Sequence, residues 1–176
     1  LLTETLDALG AADDRHTVYD WDGGDSTMQL GTVVYDTLDD SGEVVEDVEQ
    51  SYNARGRLTQ AAIDSDGNAA VDVLTTYTYS DDGIRVRQVV ERAGQAASVT
   101  EFVVDHQNAT GYAQTIEEHS REGTSPTRQV SYTIGLDEIA QAVKDNPAAT
   151  AVVSQFLHDG RGSVRQLADA VAELVQ

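Results

Sequence analysis

Short segments in which apolar and polar residues alternate occur through most of the chain. The alternation is clearest in residues 31–35, 76–79, 84–89, 98–103 and 129–134, which are rich in Val, Thr and Tyr. Such residues suit a pleated, half-buried strand. Polar clusters containing Gly and Asp, Asn or Ser separate the segments, about a dozen residues apart, and supply the backbone conformations of tight turns. The pattern predicts antiparallel β-hairpins and an all-β, or nearly all-β, fold.

Two stretches carry the spacing of a helix instead. Residues 136–145 place Leu136, Ile139 and Val143 on one helical face before Pro147, and residues 164–176 repeat the pattern more strongly. Short helices near 136–145 and 164–176 are therefore an open alternative. We favour a strand for residues 163–167, because sheet pairing can override local preference. For residues 168–176, helix and strand remain equal alternatives.

A repeated unit lies at several of the predicted turns. An aromatic residue is followed by an Asn, Asp or Ser and then, four positions after the aromatic, by Gly. Copies begin at Tyr19, Tyr52 and Tyr79, and a fourth has His158 in the aromatic position. We interpret the aromatic as covering the sheet at the turn, the polar residue as bonding the turn backbone, and Gly as taking the positive φ.

These units resemble the YD repeats of the RHS family. The resemblance rests on Tyr52, Gly56 and Arg57 in one copy and on Tyr79, Gly83 and Arg85 in another. The later run, from residue 156 to 167, resembles a segment of the RHS-repeat-associated core through the residues His158, Asp159, Gly162, Ser163 and Arg165. The resemblance to the family as a whole covers roughly residues 50–170. It implies that the chain has three parts: divergent leading hairpins in 1–49, YD-like hairpins in 50–135 and an RHS-core-like segment in 136–176.

The resemblance also implies a function. Proteins of this family are large secreted or surface polypeptides whose repeats wind a long antiparallel sheet into a hollow shell, which commonly encloses a C-terminal toxin domain. The chain is then expected to be one structural unit, a curved piece of such a shell and a fragment of a longer polypeptide. Its expected partners are the rest of that polypeptide or a toxin cargo, and its expected location is extracellular or at the cell surface.

Composition narrows the alternatives. Acidic residues number 31 against 11 basic ones, and the formal net charge is −20. Such a surface repels phosphate, so nucleic acid and anionic membranes are not expected partners. An Asp-rich chain whose only lysine is Lys144 fits a high-salt habitat, and a generic acidic extracellular protein fits equally well. There is no cysteine, no signal-peptide pattern and no apolar run near 18 residues.

Candidate chemistry is sparse. Asp64, Asp66 and Asn68 place oxygen atoms at alternate positions, as calcium loops do, although Ala69 replaces the Gly of an EF-hand frame. A hairpin turn whose carboxylates are solvated is an alternative explanation of Asp64, Asp66 and Asn68. Apart from calcium at this candidate site, no cofactor is expected. Ser163 lies near His158 in sequence, but no nucleophile motif surrounds it.

The sequence therefore favours a structural, non-enzymatic role. The alternative is an extracellular binding module that recognises carbohydrate or calcium through acidic turns and aromatic residues, and a hydrolase centred on Ser163 is a distant third. Open sheet edges are expected to promote self-association.

Overall fold

The computed structural model describes residues 2–6, 14–21, 30–39, 42–108, 110–135, 138–159, 161, 163–169 and 174–175. Every regular element in this part of the chain is a β-strand, and the strands are β1 (Leu2–Leu6), β2 (Asp14–Trp21), β3 (Leu30–Leu38), β4 (Val44–Tyr52), β5 (Leu58–Asp64), β6 (Val73–Tyr79), β7 (Arg85–Arg92), β8 (Ser98–Asp105), β9 (Gln114–Glu122), β10 (Ser125–Ile134), β11 (Glu138–Lys144), β12 (Val152–His158), β13 (Val164–Asp169) and β14 (Leu174–Val175). Hydrogen-bonded neighbours are consecutive in the chain, from β1 to β14. Within the described ranges, no helix is long and apolar enough to cross a membrane.

The chain divides into two compact units. The first consists of Leu1–Thr78 and Val89–Ala97, and the second of Tyr79–Gln88 and Ser98–Gln176. In the first unit, β1 to β6 pair antiparallel, each with its sequence neighbour. Val33 is its most buried described side chain, with 1% of its surface exposed, and lies in β3 between strands on both sides.

The second unit is built in the same way from β8 to β14. Its buried apolar side chains, among the described residues, are Val99, Val130 and Ala168. Several large apolar residues stay exposed on its last strands, including Ile139, Val152 and Val164. Backbone ladders and short turns, more than a deep apolar core, therefore hold this unit together.

The antiparallel, all-β prediction is confirmed. In both units the strands pair with their sequence neighbours, as a series of antiparallel hairpins requires. The alternating segments predicted as strands lie in β3, β6, β7, β8 and β10.

The predicted helices are wrong where the structure describes them. Glu138–Lys144 is β11, and it is hydrogen-bonded to β10 on one side and to β12 on the other. Ile139 and Val143 are four residues apart, a spacing that places them on one side of a strand as well as of a helix. Two ladders satisfy the backbone of β11, and this pairing outweighs the helix preference of its alanines. Val164–Asp169 is likewise strand β13, as favoured for 163–167, and Leu174–Val175 is β14; residues 136, 137, 170–173 and 176 lie outside the described residues.

Candidate functional site: capped corner turns and an acidic loop

Four hairpin turns of the structure share one design, and we call them the corner turns. Their first and fifth residues are residues 39 and 43, 53 and 57, 80 and 84, and 159 and 163, and residues 40, 41, 160 and 162 lie outside the described residues. In each, the N–H of the first residue donates to the C=O of the fifth, at 2.8–2.9 Å. The side chain of the first residue then accepts the N–H of the fifth, at 3.0–3.2 Å. The first residue is therefore a cap that closes the turn from both its backbone and its side chain.

Three residue types act as the cap. Asn53 accepts the N–H groups of Arg55 and Arg57 on its Oδ1, at 2.9 and 3.1 Å. Asp159 does the same for Arg161 and Ser163, at 2.8 and 3.1 Å. Ser80 has only a hydroxyl and accepts one N–H at 3.2 Å. The repeated unit thus has Asn, Asp or Ser at this position because the turn leaves backbone N–H groups that need a side-chain acceptor.

The described glycines of the corner turns take the left-handed conformation. The φ angles of Gly42, Gly56 and Gly83 are 83°, 68° and 88°. In each of these turns the Gly N–H donates to the C=O of the cap. This is a turn followed by a glycine bulge, and the bulge explains why the strand register shifts at this point. Gly162, the equivalent predicted position in the last turn, lies outside the described residues.

In the copies at Tyr52, Tyr79 and His158 the aromatic position is the last residue of the incoming strand, whereas Tyr19 lies inside β2, and the Gly of that copy lies outside the described residues. Tyr52 ends β4 and pairs with Leu58, and His158 ends β12 and pairs with Val164; a register shift lies beside each pair. Tyr79 ends β6. The Tyr52 hydroxyl donates to the Gln50 side chain at 2.7 Å, and burial, with a contribution from Tyr35, raises the pKa of Tyr52.

The arginines of the repeated unit lie at the end of the turns or just after them and make different contacts. Arg165 donates from Nε to Oδ2 of Asp159 at 2.7 Å, across the last corner turn. Arg85 places its guanidinium carbon 5.4 Å from the centre of the Phe102 ring, a cation–π contact. Arg57 is the fifth residue of its own turn and contributes its backbone to the closure.

The residues considered for hydrolysis hold a turn. Both oxygens of the Asp159 carboxylate are engaged, Oδ1 by two backbone N–H groups and Oδ2 by Arg165. The backbone N–H of Arg161, the Arg165 side chain and the N–H of Ser163 together lower the pKa of Asp159. Among the described residues, no hydrogen bond joins the Ser163 hydroxyl to His158. The geometry at Ser163 is therefore that of a corner turn.

The predicted calcium residues lie in a loop between β5 and β6. Asp64, with 6% of its surface exposed, accepts the N–H groups of Asp66 and Asn68 on Oδ1, and that of Ala69 on Oδ2 at 2.6 Å. Ala69 has a φ of 64°, so alanine takes the left-handed conformation at the position where an EF-hand has Gly. We call residues 64–72 the acidic loop.

Carboxylates converge in the acidic loop. Oxygens of Asp64, Asp66 and Asp72 lie within 4.8 Å of one another. Asp72 also accepts hydrogen bonds from the backbone and hydroxyl of Ser65, which lower its pKa. Burial raises the pKa of Asp64, but the N–H groups that it accepts outweigh burial and hold the pKa below its usual value. The chain itself satisfies these carboxylates, so calcium binding by Asp64, Asp66 and Asn68 stays a prediction.

A row of carboxylates crosses the sheet beside the acidic loop. Asp47 in β4 lies directly opposite Asp36 of β3 on one side and Asp64 of β5 on the other. Its Oδ1 is buried without a hydrogen-bond partner among the described residues. Burial, followed by repulsion from Asp36, Glu49 and Asp64, raises the pKa of Asp47. Like charges placed opposite one another destabilise a sheet.

The sequence analysis did not identify Asp39 or Asp47. Asp39 caps the corner turn 39–43. The sequence feature that could have identified Asp39 is its position three residues before Gly42, the spacing that also separates Asn53 from Gly56 and Ser80 from Gly83. Asp47 carries no local signal, because only the pairing of β3, β4 and β5 brings its neighbours together.

No protein-family description matches the chain, and neither does any curated protein. Solved structures do match. The crystal structure of TcdB2-TccC3 without its hypervariable C-terminal region is 15% identical, with a TM-score of 0.50, and the match covers 93% of this chain and 9% of that one. The crystal structure of TcdB2-TccC3-TEV gives the same identity, TM-score and coverage.

These neighbours are RHS/YD-repeat toxin shell proteins. At this identity the likeness concerns the fold alone, and the chain spans about a tenth of the length of the structures it matches. The resemblance to the RHS/YD-repeat family that rests on the units at Tyr52, Tyr79 and His158 is therefore confirmed at the level of the fold.

Proposed function

We propose that this chain is a structural, non-enzymatic segment of an RHS/YD-repeat shell of a secreted or surface protein that resembles polymorphic toxins. Its role is to wall off or present a downstream domain. The observation that carries the proposal is the corner turn, built four times with the same hydrogen bonds in a chain whose fold is similar to that of toxin shell proteins. Each corner turn adds one more strand to the sheet, so repeating the turn produces the long sheet from which a shell wall is built.

The surface of the second unit supports this role. Ile139, Val152 and Val153 are more than a third exposed on neighbouring strands, β11 and β12. Successive residues of a strand point to opposite faces, so Val152 and Val153 leave apolar surface exposed on both faces of β12, and one of these faces is available to a larger assembly. The rest of the same polypeptide, or the enclosed cargo, is the partner that we propose for it.

The proposal is tested in the polypeptide that naturally carries this segment. If the segment walls off another domain, that domain resists a protease that degrades it when it is produced alone. Opening two corners with Gly56→Val and Gly83→Val is expected to abolish the protection, because valine is strongly disfavoured at positive φ. Gln155→Ala, on an exposed position of β12, is the matched control and is expected to keep it.

Two results would contradict the role. Full protection in the Gly56→Val, Gly83→Val variant, with its far-ultraviolet circular dichroism altered, would show that the wall is not made by these hairpins. Equal protease sensitivity of the second domain inside and outside the native polypeptide would show that nothing is enclosed.

A further inference from the structure

Strands β9 and β10 separate at one end and form a fork. Their pairing ends at Glu117 and Ser131. Beyond that pair, β9 continues along β8, where Gln114 lies opposite Asp105. Strand β10 continues along β11 instead, as far as the pair of Ile134 with Glu138. The two strands that were neighbours therefore follow different partners.

A bulge on each side explains the separation. Between β8 and β9 the register shifts after Val103, so that Ile116 is an extra residue in β9. Between β10 and β11 the register shifts after Thr133, and Ile139 is the extra residue in β11. A bulge bends its strand and increases the local twist, and bulges are frequent beside functional sites.

A half-open cavity of about 430 Å³ lies at the fork, and we call it the fork cavity. This volume is in the range of roughly 300–1,000 Å³ that holds small molecules. Its walls combine carboxylates, two amides, hydroxyls and one apolar side, and include Asp105, Asn108, Gln114, Glu117, Ser131, Tyr132 and Ile134. None of the described residues that line it is basic.

One wall is fixed in advance by Asn108. Its Nδ2 donates to the backbone oxygens of Asp105, at 3.0 Å, and Tyr112, at 2.7 Å, and its Oδ1 accepts the N–H of Thr110 at 2.9 Å. The side chain of Asn108, which lines the cavity, is therefore hydrogen-bonded both to the end of β8 and to the loop between β8 and β9. A wall that is already ordered lowers the entropy cost of binding.

The polar groups of the cavity select the ligand. Asp105 accepts one hydrogen bond on Oδ1 from Gln107, and Glu117 is bonded on Oε2 to His119, so each carboxylate keeps a second oxygen to accept another. Within the described part of the chain, the side chains of Gln114 and Ser131 make no hydrogen bond. The cavity thus offers more acceptors than donors, and its ligand must donate.

Charge and shape restrict the ligand further. Two carboxylates and a net charge of −20 repel an anion. Tyr132 and Ile134 give the cavity an apolar side, against which the C–H groups of a ring can pack. We propose that the fork cavity binds a hydroxyl-rich sugar that carries no acidic group. Sugar hydroxyls donate to Asp105, Glu117 and Gln114, and the ring lies against the apolar side.

The test is a titration of the intact, ¹⁵N-labelled chain, followed by backbone amide shifts. The probes are glucose, N-acetylglucosamine, glucosamine and glucuronate, each raised into the millimolar range. At least one of the three sugars without a carboxylate is expected to shift the signals of residues 105, 114, 117 and 131–135 in a saturable way. Glucuronate is expected to bind at least about tenfold more weakly, because its carboxylate meets those of the cavity.

Variants separate this site from weak contacts elsewhere. Gln114→Ala and Ser131→Ala are each expected to weaken binding by about 2- to 10-fold, the effect of one lost hydrogen bond. Gln155→Ala, on exposed β12, is the matched control and should not change the affinity. Far-ultraviolet circular dichroism checks that each variant is folded. If one of the two cavity variants does not fold, the other is sufficient for the test.

Three outcomes would overturn the proposal. The first is that no probe without a carboxylate produces a saturable shift. The second is that shifts map away from the fork or respond equally to Gln114→Ala and Gln155→Ala. The third is that glucuronate binds as tightly as glucose. The shell role does not depend on any of them.

Discussion

Replacing Gly56 with alanine isolates the conformational requirement of a corner turn. Gly56 has a φ of 68°, and a Cβ atom built on it meets nothing within 4 Å. The added methyl group therefore has space, and the only cost is that of the left-handed conformation, about 1–2 kcal/mol for an L-residue. Gly56→Asn is the matched variant, because asparagine tolerates this conformation better, and it is expected to recover part of the loss.

A second glycine separates conformation from space. Gly67, in the acidic loop, has a φ of 69°, nearly the same as Gly56. A Cβ atom there would meet the backbone carbonyl of Val44. Gly67→Ala should therefore cost the same strain plus overpacking of about 1–3 kcal/mol, since backbone cannot move aside as a flexible side chain can.

Urea unfolding followed by far-ultraviolet circular dichroism measures both effects. With an m-value of about 1–3 kcal/mol/M, a cost of about 1–2 kcal/mol is expected to lower the midpoint of Gly56→Ala by about 0.3–2 M. Gly67→Ala should lower it clearly further. An unchanged midpoint for Gly56→Ala would refute the glycine bulge as the basis of the repeated unit. Equal midpoints for the two alanine variants would refute the contact between the acidic loop and β4.

Four further expectations concern single features of the chain. Asn53→Ala removes the acceptor of two N–H groups and should destabilise the chain by about 1–2 kcal/mol in urea unfolding, whereas Asn53→Asp should keep most of the stability. The pKa of Asp47 is raised in the folded state, so protonation of Asp47 stabilises the fold at low pH, and this contribution is lost as pH rises through the folded-state pKa. Asp47→Asn should therefore raise the thermal midpoint at pH 7 and lose this advantage in acid. A lower midpoint of the variant at pH 7 would contradict the repulsion between Asp47 and its neighbours. If Asp64 and its neighbours bind calcium, adding calcium should raise the thermal midpoint and a chelator should reverse it, whereas an unchanged midpoint excludes the site. Edge strands should make the chain associate in molar salt, where its net charge of −20 is screened, and light scattering that reports a monomer at every salt concentration would contradict this.

The corner turns could be predicted from the sequence because their determinants are local. Asn53 and Gly56 are three residues apart, and every hydrogen bond of the turn lies within five residues. The residue types follow from the donors and the positive φ alone. The pairing of Asp159 with Arg165 was predictable for the same reason, since the turn places both at its base.

Pairing between strands was not predictable in the same detail. The helix pattern at Ile139 and Val143 is real, but the ladders to β10 and β12 decide the conformation. The row from Asp36 through Asp47 to Asp64 depends on the register of three strands, and a shift of one residue would put their side chains on opposite faces. The fork cavity depends on two bulges, which leave no clear mark in the sequence.

Acidity and folding make separate demands on this chain. The neutral residues Asn53 and Ser80 cap two corner turns with the same backbone bonds that Asp39 and Asp159 provide in the others. A carboxylate is therefore sufficient for a cap but not required. At Asp47 a carboxylate opposes folding, since it is half-buried and lies opposite two other carboxylates. The geometry of the turns therefore does not require the excess of aspartate, and salt screening reduces the repulsion that this excess creates.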